Sequence, residues 1–387
     1  MDKLESVKQK LIRNFNDNLV PFWDKMIDNE HGAFYGKWDN EPVKEADKGV
    51  IYLARLLWSF SVAYKQTGNI KFLSYSNYIY KFMITKLYDH NFKGFYYACD
   101  YKGKVINNHK HLYAQAFCLY GLSEFYDITK DENCLKIIFD LHCIIKQNFI
   151  DFPNRYSEEF TFDWEPTENK ILMGYGMIPE ITTNTLLHLI ESLGTAYNVL
   201  QEEDIKNTCF RYLEIFFQYG INYENYSLNQ FLDYNLNSVI DVISYGHDIE
   251  VSWLIKDVMN QIGCFEETYP HWHDTLNNLG KCSLNGLHNN YLLAEKINGQ
   301  IRSEDIIWWV QAECLLGLLC LYQKNNNKEY LDLMDNLVNL IEKVIMTDNE
   351  WYWSVDKDGN PKDDHTQAEM WKANYHNFRC ILKFMEV

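Results

Sequence analysis

The sequence predicts an all-α fold, about a dozen helices laid out as consecutive pairs, on three observations. Apolar residues recur with a helical period in segment after segment, and clear alternating strands are few. Short connections such as Thr67-Gly68-Asn69 alternate with long connections rich in aromatic residues. One short side and one long side is what a closed toroid of helix pairs needs, with inner helices presenting a cleft and long loops rimming it. An open α-solenoid is the alternative reading of the same pattern, although no sequence repeat supports one. No Pro/Ser-rich linker divides the 387 residues, so a single domain is expected.

A first helix is expected over 3–27, followed by 28–40, where Gly32 and Gly36 interleave with Phe34, Tyr35 and Trp38 in a short hairpin or loop. Helices over 47–67 and 70–87 precede a second Gly/Tyr loop, 92–108, which contains Lys93-Gly94-Phe95-Tyr96-Tyr97. Helices over 110–127 and 131–148 lead into a long irregular segment, 149–179. Further helices are expected over 181–200, 203–219, 246–262 and, with an interruption, 268–294. The last ones fall at 303–323, 328–346 and 365–385, with a Trp-rich hairpin over 351–361 between the closing two.

A net charge of −18 disfavours nucleic acid and anionic membrane surfaces, and no apolar run is long enough to span a bilayer. A neutral or cationic small molecule is the expected partner. The residues Met1-Asp2-Lys3-Leu4-Glu5 show no secretory pattern, and the 10 cysteines are scattered without a C-x-x-C pair. Free thiols in a reducing cytoplasm are therefore expected. Aromatic residues make up 16% of the chain, enough for a bulky core and for stacking in a cleft.

The densest chemistry lies in Ser244-Tyr245-Gly246-His247-Asp248-Ile249-Glu250-Val251-Ser252-Trp253. Gly246 ends a loop, and His247 falls in the first turn of a helix with Glu250 at i+3 on the same face. A carboxylate there can accept the imidazole N–H and fix its tautomer. Arg55 sits in the middle of the nearly apolar helical segment Lys48–Phe60, so it must pair with a carboxylate or face a cavity where it meets a developing oxyanion. Asn184 and His188 share one face of another apolar helix, and Tyr113 with Gln115 opens a third. Trp309 precedes Glu313 by one turn, a ring face and a carboxylate that together suit a sugar. Trp371 and His376 add a further ring and a second acid/base candidate. His271, His273 and Asp274 diverge as metal ligands, and no H-E-x-x-H, P-loop or dinucleotide motif is present. The acidic pairs Glu158-Glu159, Glu202-Glu203 and Glu266-Glu267 read as solvated surface.

Phe34–Asn40, Ala46–Val50, Asn184-Thr185 with His188, Ser244–Glu250, Trp308–Glu313, and Trp371-Lys372 with Tyr375-His376-Asn377 occur in one order along nearly the whole chain. In these motifs the sequence resembles the N-acylglucosamine 2-epimerase superfamily, and its disaccharide branch more than its N-acylhexosamine branch. The resemblance implies an (α/α)6 barrel that epimerises C2 of the reducing-end glucose of a β-1,4-linked disaccharide, without cofactor or metal. It implies His247 and His376 as the acid/base pair, Glu250 as the residue orienting His247, and Arg55 and His188 as holding the reacting oxygens. Tyr113, Asn184, Trp309, Glu313 and Trp371 would line the sugar subsites, with Trp253 close by. A monomer is expected, with a dimer as the alternative. Alternatives of function are a monosaccharide or N-acylhexosamine epimerase or isomerase of the same superfamily, or an (α/α)-barrel glycoside hydrolase using Glu250 and Glu313. A helical-repeat scaffold without activity is the remaining class. Phe378, Ile178–Thr183 and His271–Asn278 depart from the family pattern and bear on substrate preference.

Overall fold

The computed structural model describes residues 3–148, 150–362 and 365–387. The chain begins with α1 (Lys3–Asn14), which runs through one wide π-type turn, Phe15–Leu19, into α2 (Val20–Lys25). Then follow α3 (Val50–Thr67), α4 (Ile70–Phe82), α5 (Leu112–Thr129), α6 (Glu132–Asn148), α7 (Thr183–Leu200) and α8 (Glu203–Ile215). The remaining helices are α9 (Tyr245–Gln261), α10 (Pro270–Ser283), α11 (Trp308–Asn325), α12 (Lys328–Val344) and α13 (Tyr375–Met385).

The odd-numbered helices from α3 to α13 pack side by side in sequence, and α13 returns to α3, so six inner helices close a ring. Each has an outer mate: α4 on α3, α6 on α5, α8 on α7, α10 on α9 and α12 on α11. The outer mate of α13 is α1, which also lies against α12. The expected toroid is thus an (α/α)6 barrel, and the open solenoid is excluded by the α13–α3 contact. Inner and outer helices differ in a way the sequence makes plain. From Val50 to Ser61, α3 is buried at every residue, because one side meets its outer mate and the other meets the ring interior. By contrast α12 buries only Leu331, Met334, Leu337, Val338 and Ile341, a single stripe with helical spacing. Glycines let the inner helices approach closely. A Cβ on Gly121 of α5 would lie 2.6 Å from the Ala54 carbonyl oxygen of α3, and one on Gly317 of α11 would lie 2.2 Å from Ile249 of α9.

Short connections gather at one end, and long loops with two- and three-residue strands gather at the other. The loops are anchored by devices that recur. Asp28 accepts the backbone N–H groups of Glu30 and His31 with one oxygen and the Lys48 ammonium, at 2.7 Å, with the other. Asp89 repeats this with Asn91, Phe92 and, at 2.8 Å, Lys110. Each lysine lies just before an inner helix, so a buried ion pair fixes where that helix starts. Gln115 on α5 clasps both backbone groups of Phe95, and Gln311 on α11 clasps both of Leu292.

Several expectations need correction. The segment expected as an interrupted helix over 268–294 ends its helix at Ser283, and strands Leu287–His288 and Tyr291–Leu292 form a hairpin through Asn289 and Asn290, both at positive φ. Its turn fits under a ring: a Cβ on Gly286 would lie 2.5 Å from the Tyr245 ring. The helix expected over 365–385 begins only at Tyr375, because 366–374 forms bridges and turns that carry Trp371. Glu158 and Glu159 are buried instead of solvated. Glu158 accepts bonds from Thr182, Thr185 and Asn169, tying the long 150–180 loop to the start of α7, while Glu159 receives the N–H groups of Lys170 and Ile171. Among the unusual residues, Phe378 faces away from the ring interior and packs on Phe15 and Phe60. Trp272 in the His271–Asn278 stretch stacks on Phe217 between α10 and α8.

Candidate active site

The six inner helices bring their N-terminal turns to one end of the ring, and there they enclose a cleft of about 240 Å³. Its walls come from every inner helix: Arg55 from α3, Tyr113 from α5, Asn184 and His188 from α7, His247 and Glu250 from α9, Trp308 and Trp309 from α11, and His376 from α13. Trp353 and Trp371 from the rim loops complete it. The pattern has a simple origin. Arg55, His188, Glu250 and Glu313 are each the sixth residue of their helices, so they form one layer of the barrel. Six helix N-termini at one mouth also supply partial positive charge where an oxygen anion would sit.

Among the described residues Arg55 meets no carboxylate. Its guanidinium donates at 2.9 Å to the Trp371 carbonyl and at 2.9 Å to the Tyr113 hydroxyl, with Phe117 and Tyr375 beneath it. Its Nε and the Asn184 Oδ1 are buried without a partner among the described residues. The cleft therefore holds a cation and an acceptor whose bonding capacity is unused.

The histidines are held differently. His376 Nδ1 lies 2.6 Å from Glu313 Oε1, and His188 Nδ1 lies 2.8 Å from Glu191 Oε2. His247 Nδ1 lies 2.7 Å from the hydroxyl of Ser244, the N-cap residue of α9. Glu250, expected to receive the His247 N–H, bonds Arg379 instead, at 2.5 Å. Asp248 turns outward and accepts the Leu228 N–H. Arg379 is the common counter-ion, donating also to Glu191 and Glu313 at 2.7 Å each and to the Tyr375 hydroxyl. Oxygens of Glu250 and Glu313 and a nitrogen of His376 lie within 4.8 Å of one another, a spacing that would suit a metal, and the Arg379 guanidinium bonds both carboxylates there.

Burial lowers the pKa of His247 from the usual 6.5, only partly offset by Glu250, and it lowers that of His376 well below 6.5. Both imidazoles are therefore neutral at pH 7, able to take up a proton. Burial pushes Glu313 up from 4.5 despite Arg379. Burial also works to raise Glu191, but Arg379, His188 and Tyr375 outweigh it and hold this carboxyl at about 2.

Two expected sugar contacts lie outside the cleft. Glu313 is fully buried, and the reason is that its one-turn offset from Trp309 aims the carboxylate inward at Arg379. Trp253 stands behind it, donating to Glu313 at 3.0 Å with its ring over Arg379, and it faces a separate cavity of about 580 Å³ at the far ends of α9, α11 and α13. The cleft also contains two rings that the sequence reading did not single out, Trp308 and Trp353. Glu191 and Arg379 were missed as well. Glu191 repeats the H-x-x-E spacing of His247 and Glu250, which was the available signal; nothing local marks Arg379.

This is the architecture of an (α/α)6-barrel enzyme. A family model described as N-acylglucosamine 2-epimerase (GlcNAc 2-epimerase) matches residues 32–380. The cellobiose 2-epimerase of Dictyoglomus turgidum is 33% identical to this chain over 388 residues, covering 99% of each. That of Bacteroides fragilis is 30% identical, covering 98% of this chain and 99% of its own. The solved structure of cellobiose 2-epimerase from Bacillus thermoamylovorans superimposes with a TM-score of 0.93 at 32% identity, over 99% of this chain and 100% of that one. The chain belongs to the N-acylglucosamine 2-epimerase family. Among the described residues no helix is long and apolar enough to cross a membrane.

Proposed function

We propose that this protein epimerises C2 of the reducing-end glucose in a β-1,4-linked disaccharide, turning cellobiose into glucosyl-mannose and lactose into epilactose. The observation that carries the reading is the pair of neutral histidines, His247 and His376, both beside the Trp309 ring with centroids 4.9 and 5.6 Å from it, in a cleft that also contains an arginine with no carboxylate partner among the described residues.

The chemistry follows from these groups. C2–H becomes acidic only when C1 is an aldehyde, so the sugar ring opens first: one imidazole takes the anomeric hydroxyl proton and passes it to the ring oxygen as the C1–O5 bond breaks, which leaves both rings neutral again. His376, its Nδ1–H given to Glu313, presents a bare Nε2 and serves as base toward C2. The resulting enediolate places negative charge on oxygen, where Arg55, Tyr113 and the helix N-termini meet it. His188, fixed by Glu191, holds a neighbouring oxygen. His247 delivers a proton from its own Nε2 to the opposite face of C2 and regains one from solvent, to which His376 loses the proton it took; the Ser244 hydroxyl accepts from or donates to Nδ1 and so tolerates either tautomer. Delivery to C1 instead gives a ketose, so some isomerase leakage accompanies the reaction. Trp309, Trp371 and Asn184 would grip the sugar by stacking and hydrogen bonding. The glycosidase alternative is poorly supported, since Glu250 and Glu313 are both committed to one nitrogen of Arg379. We take the enzyme to be a cytoplasmic monomer.

The test is incubation with cellobiose in deuterium oxide, followed by NMR. A mannose-type anomeric signal with deuterium at C2 is expected; release of free glucose, or an unchanged spectrum, overturns the proposal. Parallel incubations with glucose, mannose and N-acetylglucosamine separate the disaccharide reading from the monosaccharide one.

A further inference from the structure

Behind the cleft lies a charged pair that the reaction does not use. The ammonium of Lys372 is fully buried, has no acceptor within hydrogen-bonding distance among the described residues, and sits 3.7 Å from the centroid of the Trp308 ring. Glu350 Oε1 is 3.7 Å away, too far for a hydrogen bond but close enough for an ion pair. Glu350 is itself held by the Trp23 indole N–H and the Trp351 backbone N–H, each at 2.8 Å, and by the Asn377 amide.

Three cleft tryptophans converge on this pair. Trp308 lies over the ammonium and stands at 81° to the His376 ring. Trp353 is three residues from Glu350, and its carbonyl accepts the Trp308 backbone N–H at 3.0 Å. Trp371 is the neighbour of Lys372, and its carbonyl takes the Arg55 bond. We propose that Lys372 is a positioning residue for the sugar: its buried ammonium, against Trp308 and beside Glu350, keeps Trp308, Trp353 and Trp371 in one arrangement. An ammonium against an indole face is attracted by the ring quadrupole, and the attraction grows when water is excluded. A neutral amine has no such hold.

Burial lowers the Lys372 pKa from 10.5 to about 8, against the pull of Glu350 and Glu369. The titratable groups facing the pair are Glu350, Glu369, Tyr52 beside Glu350, and His376 across Trp308. Deprotonation above that value releases the tryptophans, so sugar binding weakens on the alkaline side while the His376–Glu313 pair is untouched.

The catalytic consequence rests on the epimerase reading, but the conformational one does not, and the experiment reads both. In Lys372→Met, KM for cellobiose should rise roughly tenfold while kcat changes less than about threefold. The alkaline fall in kcat/KM of the wild-type enzyme near pH 8 should be absent. Independently of turnover, wild-type tryptophan fluorescence should show a transition near pH 8 that Lys372→Met lacks. If Lys372→Met does not fold because Glu350 is left unpaired, Lys372→Met with Glu350→Gln removes both charges and takes its place. An unchanged KM, or a fluorescence transition that persists in the variant, overturns the proposal. If the wild-type protein epimerises no sugar, the functional reading fails while the fluorescence comparison still decides the role of Lys372.

Discussion

His376 and His247 open onto the same cleft, near the N-termini of α13 and α9, yet they are supported in different ways. His376 is backed by a carboxylate, which is backed in turn by an arginine that three glutamates share. His247 is backed by a serine hydroxyl. A carboxylate only accepts, so it commits His376 to one tautomer; a hydroxyl both donates and accepts, so His247 is free to exchange. An epimerase must run in both directions through an intermediate with two faces. The difference suggests a division of labour, with one histidine poised as base and the other adaptable.

That comparison can be broken most sharply by removing either ring. His376→Ala and His247→Ala should each cut kcat for cellobiose by about 10³-fold or more with the far-UV CD and melting temperature little changed. Near-normal turnover in either variant would remove the two-histidine mechanism. Next in size are the supports. Glu313→Gln keeps the shape but ends the fixed tautomer of His376, and kcat should fall about 10²-fold. Ser244→Ala should cost less than about tenfold, because His247 needs no single tautomer. If Ser244→Ala proves the more damaging, the assignment of fixed and adaptable histidines is reversed.

The smallest effect concerns pH. The neutral imidazole is the form that accepts a proton, and burial lowers the pKa of both rings below 6.5. The rate should therefore hold as pH falls from 7 and decline only below 6.5. The charge on Glu250 pulls both rings upward, so Glu250→Gln should move the acid limb to still lower pH. A kcat/KM profile over pH 4–8 checks the direction.

Much of this was legible in the sequence, for identifiable reasons. Periodicity marked the helices, because an inner helix buried on all sides and an outer one buried on a stripe both leave a strong apolar signal. His188, His247, Arg55 and His376 were visible because a polar residue in an apolar helix has few explanations. Glu313 turns to Arg379 and not to the cleft, and spacing from Trp309 along one helix cannot say whether a side chain faces the cleft or the arginine behind it. Arg379 was invisible for a related reason: its partners come from α7, α9 and α11, and no local pattern encodes a contact among four helices. The repeated anchors, Asp28–Lys48 and Asp89–Lys110, leave too few fixed letters to register as a sequence repeat.

The seam of the ring has a consequence for how the molecule is made. Because α1 is the outer mate of α13, it must wait for the last inner helix of the ring before its buried face is fully covered. Arg55, Tyr113, His188 and His247 leave the ribosome long before His376, and until α13 arrives the barrel is an open arc whose cleft lacks His376. Assembly of the wall and completion of the cleft are thus a single late event, and a chain interrupted before Tyr375 would have neither.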